Sequence, residues 1–408
     1  MKRILSLIAV VCACVSLYAN GKDRGIEVSV LTCAPGQEVY SLYGHTAIRV
    51  KDNATGEDRV FNYGVFDFNT EYFIWKFVLG KTDYICASMP WAYFLREYER
   101  SGRSVVVQLL DLTESEACKV KEYLFKNVEP ENRVYRYNYL TNNCTTKVLD
   151  CVEACVEGTI VYSWSPEMHT YRSILHRYTS SHPWAQDGND LLLGADVDTI
   201  LSHRATCFIP DLYMKALSDA VVRNDFQDTR KLVLSTSVFP ASANILSSPE
   251  DSIPCSPEIL CWGIFIIGVI IMALEYGLKK MFWPLDILIM LAHGLAGCLI
   301  VFMFFFSEHP AVGSNWLIGV FNPLPLVALP FVVKAAWNDR VTFWHHLMAV
   351  WIALFLLFIP WMPQRMPVLA VPVLATLLAR QVSYILHYGL RISPKAAKKR
   401  KNISKKKK

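Results

Sequence analysis

Apolar and polar positions alternate with period two over residues 27–32, 44–50 and 59–66, and each run predicts a strand. The turn residues Asp52-Asn53-Ala54-Thr55-Gly56 join the second run to the third as a hairpin. The spacing changes to helical at 69–79, where Phe73, Trp75, Phe77 and Val78 recur. It returns to strand at 83–88, and Pro90 opens a helix over 90–100. After an apolar strand at 104–110, Thr113 and Glu116 form a capping box that begins the next helix. Val134, Tyr135, Tyr137 and Tyr139 give a strand over 133–140. That strand delivers the chain to Asn142-Asn143-Cys144-Thr145-Thr146 and an amphipathic helix ending near Cys155. Helices at 171–178, 184–193 and 210–222 and a strand at 231–239 follow. The order predicts an α+β fold, an antiparallel sheet with a helix packed on it.

From residue 258 the pattern is nearly all apolar, in five segments at 259–278, 282–306, 316–337, 343–360 and 367–390. Each supplies the roughly 20 residues that a bilayer requires. They explain why 53% of the 408 residues are hydrophobic, too many for an ordinary soluble chain. At the other end, Lys2 and Arg3 precede an apolar run to Leu17 and a small residue, Ala19, as in a secretory signal. The organisation expected is a signal at 1–19, an exported domain at 20–241, and a Ser- and Pro-rich linker at 242–257. A membrane domain at 258–390 and a basic tail at 391–408 complete it. Lys279 and Lys280, Lys334 with Arg340, and the tail fall on one side of the membrane. The 307–315 loop has no Lys or Arg, and the loop near Pro360 has only Arg365. Such asymmetry puts the tail in the cytoplasm and the first domain outside. The net charge of +5 owes much to that tail and gives no reason to expect a nucleic-acid partner.

Eight of the twelve cysteines lie in the exported half. Their spacing makes neither a dense disulfide framework nor a zinc ligand set, and nothing in the chain calls for a cofactor. Cys144 stands out because a thiol in the first turn of a helix meets unpaired N–H groups and the positive end of the helix dipole. Both favour the thiolate. The competing reading is a buried structural thiol; Cys151 and Cys155, on the inward face of the same helix, are expected to be core or a disulfide. His45 opens a separate strand and would be the general base. A third group that orients the imidazole would be Asn62, or alternatively Asp67. The oxyanion would meet the Cys144 backbone N–H, helped by Asn143 or Tyr43.

Four stretches together resemble one family. They are Ser41-Leu42-Tyr43-Gly44-His45-Thr46-Ala47-Ile48-Arg49, Phe61-Asn62-Tyr63-Gly64-Val65-Phe66-Asp67-Phe68, Pro130-Glu131-Asn132-Arg133-Val134-Tyr135-Arg136-Tyr137-Asn138 and Asn142-Asn143-Cys144-Thr145-Thr146. The resemblance is to the Lnb-type lipoprotein N-acyltransferases of Bacteroides-like bacteria, a papain-like periplasmic domain followed by membrane helices. The His-before-Cys order is similar to that of circularly permuted NlpC-type peptidases and lecithin:retinol acyltransferase. By motif, Cys144 matches the nucleophile and His45 the base; the third residue is left open. The resemblance implies an inner-membrane enzyme that takes an acyl chain from a membrane phospholipid and passes it to the N-terminal amine of a diacylated lipoprotein. Two other readings compete. One is a papain-like peptidase or amidase acting on peptidoglycan or other envelope amides; the other is a non-catalytic lipid- or lipoprotein-binding protein. Asp286, His293, His345, His346 and Arg380 lie within or beside the apolar segments, a costly placement unless they pair or line a polar cavity.

Overall fold

A computed structural model describes residues 25–66, 71–162, 167–224, 226, 228–241 and 255–389. The signal at 1–19, Asp67, most of the 242–257 linker and the 391–408 tail lie outside the described residues. By its contacts the chain divides into two compact units. The first comprises the described parts of Met1–Glu71, Thr82–Glu167 and Ser202–Ser248. The second comprises those of Tyr72–Lys81, Met168–Leu201 and Pro249–Lys408.

Among the described residues ten strands occur in chain order. They are β1 (Ile26–Cys33), β2 (His45–Asp52), β3 (Glu57–Val65), β4 (Asp83–Pro90), β5 (Val105–Leu110), β6 (Val134–Arg136), β7 (Thr159–Val161), β8 (Val221–Arg223), β9 (Thr229–Lys231) and β10 (Val233–Phe239). Seven form an antiparallel sheet in the order β10-β5-β1-β2-β3-β4-β6, and β7, β8 and β9 form a small second sheet. Alternate residues of the central strands enter different cores. Val28, Val30, Ile48, Val50, Phe61 and Tyr63 pack with the helices Glu114–Asn127, Cys144–Cys155 and Pro210–Ser218. Leu31, Ala47 and Val60 pack with Phe94 and Tyr98 of helix Trp91–Arg100. A sheet covered on both faces gives the helix Cys144–Cys155 a rigid floor.

The predicted elements form, with differences at their ends. The strand expected over 133–140 stops at Arg136. There Asn138 Oδ1 accepts the N–H groups of Leu140 and Thr141, and Asn142 donates its side-chain amide to the Arg136 carbonyl. Local side-chain bonds replace a ladder and bend the chain into the helix start. The helix expected over 69–79 is a short one, Phe73–Val78, in the second unit.

Thr113 and Glu116 make the predicted capping box, with bonds of 3.2 and 2.7 Å. Glu116 is also fully buried, bonds Arg230 through both oxygens at 2.5 and 2.6 Å, and accepts the Glu157 N–H. It therefore ties a helix start to β9 and to the chain just after the helix Cys144–Cys155.

Among the described residues, the second unit contains five helices long and apolar enough to cross a membrane: Pro257–Leu278, Trp283–Phe306, Trp316–Trp337, Phe343–Trp361 and Ala370–Tyr388. The third is broken near Pro323, ahead of the regular helix Leu324–Trp337. The ionisable residues noted in the sequence have partners. Arg380 bonds Glu275 at 2.7 and 3.0 Å and Asp286 at 2.7 and 3.1 Å, and Ser383 donates to Glu275. His293 bonds the Val320 carbonyl, and His345 caps its own helix through Thr342.

Two stretches from the N-terminal half belong to this unit. In Met168–Leu201, buried Arg172 binds Asp190, Asp198 and the carbonyls of Leu193 and Gly194. Asn315 donates to the carbonyls of Leu191 and Leu192, Gln364 to that of Leu193, and the Gly194 N–H to that of Ala311. In Tyr72–Lys81, the Val78 carbonyl accepts from Ser307 and the Leu79 carbonyl from the Glu308 N–H.

Replacing Glu116 by alanine leaves Arg230 without its carboxylate and removes a helix cap. Full-length Glu116→Ala should lose about 3 kcal/mol of stability in its first unit, seen as a lower denaturant midpoint. Glu116→Gln should lose less.

Candidate active site

The pairing of β2 with β3 runs from Asp52↔Glu57 to Ile48↔Phe61 and goes no further. Beyond that pair β2 stays bonded to β1, through Thr32↔Thr46 and Cys33↔His45, while its other edge is open. In the opening His45 and Asn62 meet through side chains, Nε2 to Oδ1 at 3.0 Å. An amide oxygen only accepts, so Nε2 carries the proton and donates. The other ring nitrogen, Nδ1, is left as the acceptor. Of the two candidates for the orienting group, Asn62 meets the imidazole, and Asp67 lies outside the described residues.

β3 leaves the regular pattern just after Asn62. Its register with β4 shifts between Asn62↔Ala87 and Val65↔Ile85, so Tyr63 and Gly64 oppose Cys86 alone. This is a bulge, and Gly64 sits in it with φ +88°, a conformation that side chains with a Cβ rarely adopt. A Cβ there would lie 3.9 Å from the Cys144 Cβ. The bulge therefore borders the start of the Cys144 helix.

That helix, Cys144–Cys155, starts as the sequence predicts. Asn143 is its N-cap, with Oδ1 accepting the N–H groups of Thr145 and Thr146 at 2.9 and 3.0 Å. Thr146 bonds back to the Asn143 N–H at 2.8 Å, closing the capping box. The Asn143 amide nitrogen also donates to the carbonyls of Tyr139 and Phe208, both at 2.9 Å. Both of its donor hydrogens are consumed, so Asn143 has none left for an oxyanion. Its work in this structure is to fix the helix start. Tyr43 is half-buried in the turn before β2.

Cys144 is buried and in hydrogen-bonding contact with His45. Its sulfur also meets the Thr46 backbone N–H and, at 3.9 Å, the Thr145 hydroxyl. Thr145 is held in turn by Thr46, hydroxyl to hydroxyl at 3.1 Å. Burial pushes the thiol pKa up. The His45 charge, the His45 hydrogen bond, the Thr46 N–H and the Thr145 hydroxyl outweigh it and bring the pKa to about 7. Burial alone would lower the His45 pKa, but the Cys144 charge and the bonds to Cys144 and Asn62 hold it above its ordinary value. Cys33, Cys86 and Cys207, buried with no such set of neighbours, are pushed up to about 12. Cys155 is lowered by a hydrogen bond from Cys151, within the core. The ten described cysteines are free.

Thr46, Thr145 and Gly64 escaped the sequence reading. A glycine inside a strand pattern could have flagged the bulge. The two threonines carry no local signal, because their roles depend on a contact between residues far apart in the chain.

An exported α+β domain with a thiol, an imidazole and an amide in one notch is joined here to a helical membrane domain. A family model described as the Lnb N-terminal periplasmic domain matches residues 22–177, and one described as the Lnb transmembrane domain matches residues 248–390. The chain belongs to the Lnb family, and its first domain is periplasmic. Searches of curated proteins and of solved structures gave no match.

The thiol and imidazole titrate as a pair, and alkylation needs the thiolate. In the full-length protein, the rate of Cys144 alkylation by iodoacetamide should inflect near pH 7 and fall about tenfold per unit below it. In His45→Ala the raising effect of burial loses its main opponent, so the inflection should move upward. An unchanged inflection would contradict this account of the pair.

Proposed function

We propose that this chain is a lipoprotein N-acyltransferase that works through a thioester on Cys144. The observation that carries the proposal is the contact of Cys144 with His45, whose other ring nitrogen is held by Asn62. A thiol on a helix start, a base on a strand and an amide behind the base make up the set used by papain-like enzymes.

His45 Nδ1 takes the thiol proton, and Sγ attacks the carbonyl carbon of a phospholipid ester. The ester C–O bond breaks, and the lysophospholipid leaves with a proton from the imidazolium. The α-amine of a diacylglyceryl cysteine then attacks the thioester carbonyl and gives its proton to His45. Breaking the C–S bond restores the thiolate and releases an amide, a ping-pong sequence. Asn62 keeps the Nε2–H tautomer in place throughout, leaving Nδ1 to exchange the proton.

The membrane half supports this substrate pair over a soluble peptide. Donor and acceptor are both confined to the bilayer, and five spans tether the thiol to it. An apolar cavity of about 640 Å³, lined by Phe304, Trp316, Ile318, Trp351, Phe355 and Phe358 among others, has room for an acyl chain. The second unit also supports an orientation with the tail inside. Its 307–315 loop bonds Tyr72–Lys81 and Met168–Leu201, segments flanked in sequence by the periplasmic domain. The basic residues Lys279, Lys280 and Arg340 are at the opposite helix ends.

Mass spectrometry of a lipoprotein N-terminus tests the proposal in cells whose only copy is the variant. Cys144→Ala and His45→Ala should each leave the lipoprotein diacylated with a free amine. Continued N-acylation in Cys144→Ala cells would end the acyltransferase reading. Cell-wall fragments released only when Cys144 is intact would favour a peptidase instead.

A further inference from the structure

Tyr135 lies on β6, paired with Tyr84 of β4. Its ring packs against the core that contains Cys144. The Lys147 ammonium, one turn into the nucleophile helix, is 5.0 Å from the ring centroid. Tyr63 and Tyr137 flank it, with centroids 6.1 and 6.4 Å away. So confined, the ring aims its hydroxyl at the bulge. The Cβ that Gly64 lacks would stand 4.0 Å from the Tyr135 hydroxyl and 3.9 Å from the Cys144 Cβ. Hydroxyl and nucleophile therefore border the same small space.

That hydroxyl is buried and has no hydrogen-bond partner. The Gly64 N–H approaches it without closing a bond. A buried donor without a partner is unfavourable, and its persistence calls for an explanation such as a partner that arrives during function. The site also has a vacancy for a donor. A tetrahedral intermediate at Cys144 needs more than one N–H or O–H on its oxygen, and the amide of Asn143 is already spent on Tyr139 and Phe208.

We propose that the Tyr135 hydroxyl is the second oxyanion donor of the Cys144 site, acting with the Cys144 backbone N–H. The inference rests on the acyl-transfer reading above and deepens it. As Sγ bonds to the ester carbon, the carbonyl π pair moves onto oxygen and the Tyr135 O–H donates to it. The pair returns when the C–O bond to the lysophospholipid breaks, with that leaving group protonated by His45. Tyr135 loses no proton at any stage. The same donor serves the second half-reaction, in which the amine attacks the thioester.

The test compares the full-length wild type with Tyr135→Phe, which removes one buried oxygen and keeps the ring. Two rates are measured at Cys144: thioester formation from phosphatidylethanolamine in mixed micelles, followed by intact mass, and alkylation by iodoacetamide. Alkylation is a displacement at carbon that develops no oxyanion. Tyr135→Phe should form the thioester about 10²-fold more slowly and be alkylated at the wild-type rate. Thioester formation within about twofold of wild type would overturn the proposal. So would a parallel loss in both rates, which would mean that Tyr135 only positions the thiol. A Cys144→Ala control separates the two levels. Loss of the adduct in Cys144→Ala with full speed in Tyr135→Phe removes Tyr135 alone, while an adduct that persists in Cys144→Ala removes the thioester mechanism itself.

Discussion

The site depends on a ladder that stops early. Had β2 and β3 stayed paired past Ile48↔Phe61, the edge at Thr46 would face another backbone. Because they part there, the Thr46 N–H can meet the Cys144 sulfur and His45 can reach Asn62. β1 keeps its grip on the same stretch of β2 through Thr32↔Thr46 and Cys33↔His45, so the open edge is held and does not fray. The bulge at Gly64 sits on the β3 side of the same notch. A gap in one ladder, braced by its neighbour, is what lets a helix start enter the end of a sheet.

Within that notch, burial and charge oppose each other. A dry environment disfavours the thiolate and the imidazolium separately, and each is restored mainly by the other. Cys33, Cys86 and Cys207 show the outcome when burial acts without that pairing. The hydroxyl pair Thr46–Thr145 joins the strand to the first turn of the helix, so the residues next to them in the chain, His45 and Cys144, are fixed to each other. Asn143 adds rigidity from below, with its side-chain oxygen and nitrogen each making two bonds.

What was legible in the sequence is what neighbouring residues decide. Thr113 and Glu116 announced a capping box, and Asn143 ahead of Cys144 announced a helix start, because a cap is a contact across three residues. The alternating strands and the five apolar spans were readable for the same reason. The end of β6 is not legible in this way, since Asn138 and Asn142 fit a strand pattern and only the folded chain has their side chains take the backbone bonds. Asn143 could be named as a polar group beside the thiol, but its commitment to Phe208 joins residues 65 positions apart. The bond of buried Glu116 to half-buried Arg230 and the unmatched hydroxyl of Tyr135 belong to the same non-local class.

The interleaving of the two units has a consequence for how the chain is made. Synthesis runs from the N-terminus, so every strand of the seven-stranded sheet emerges before the first span does. The sheet can close at once. Arg172 can also gather Asp190 and Asp198 early, since both lie within 26 residues of it. The carbonyls of Leu191, Leu192 and Leu193, by contrast, wait for Asn315 and Gln364, and the Gly194 N–H waits for Ala311. During that interval Met168–Leu201 is an unfinished surface. A fragment ending before the spans would carry that surface permanently, with its sheet complete and its leucine-rich edge left open to aggregation.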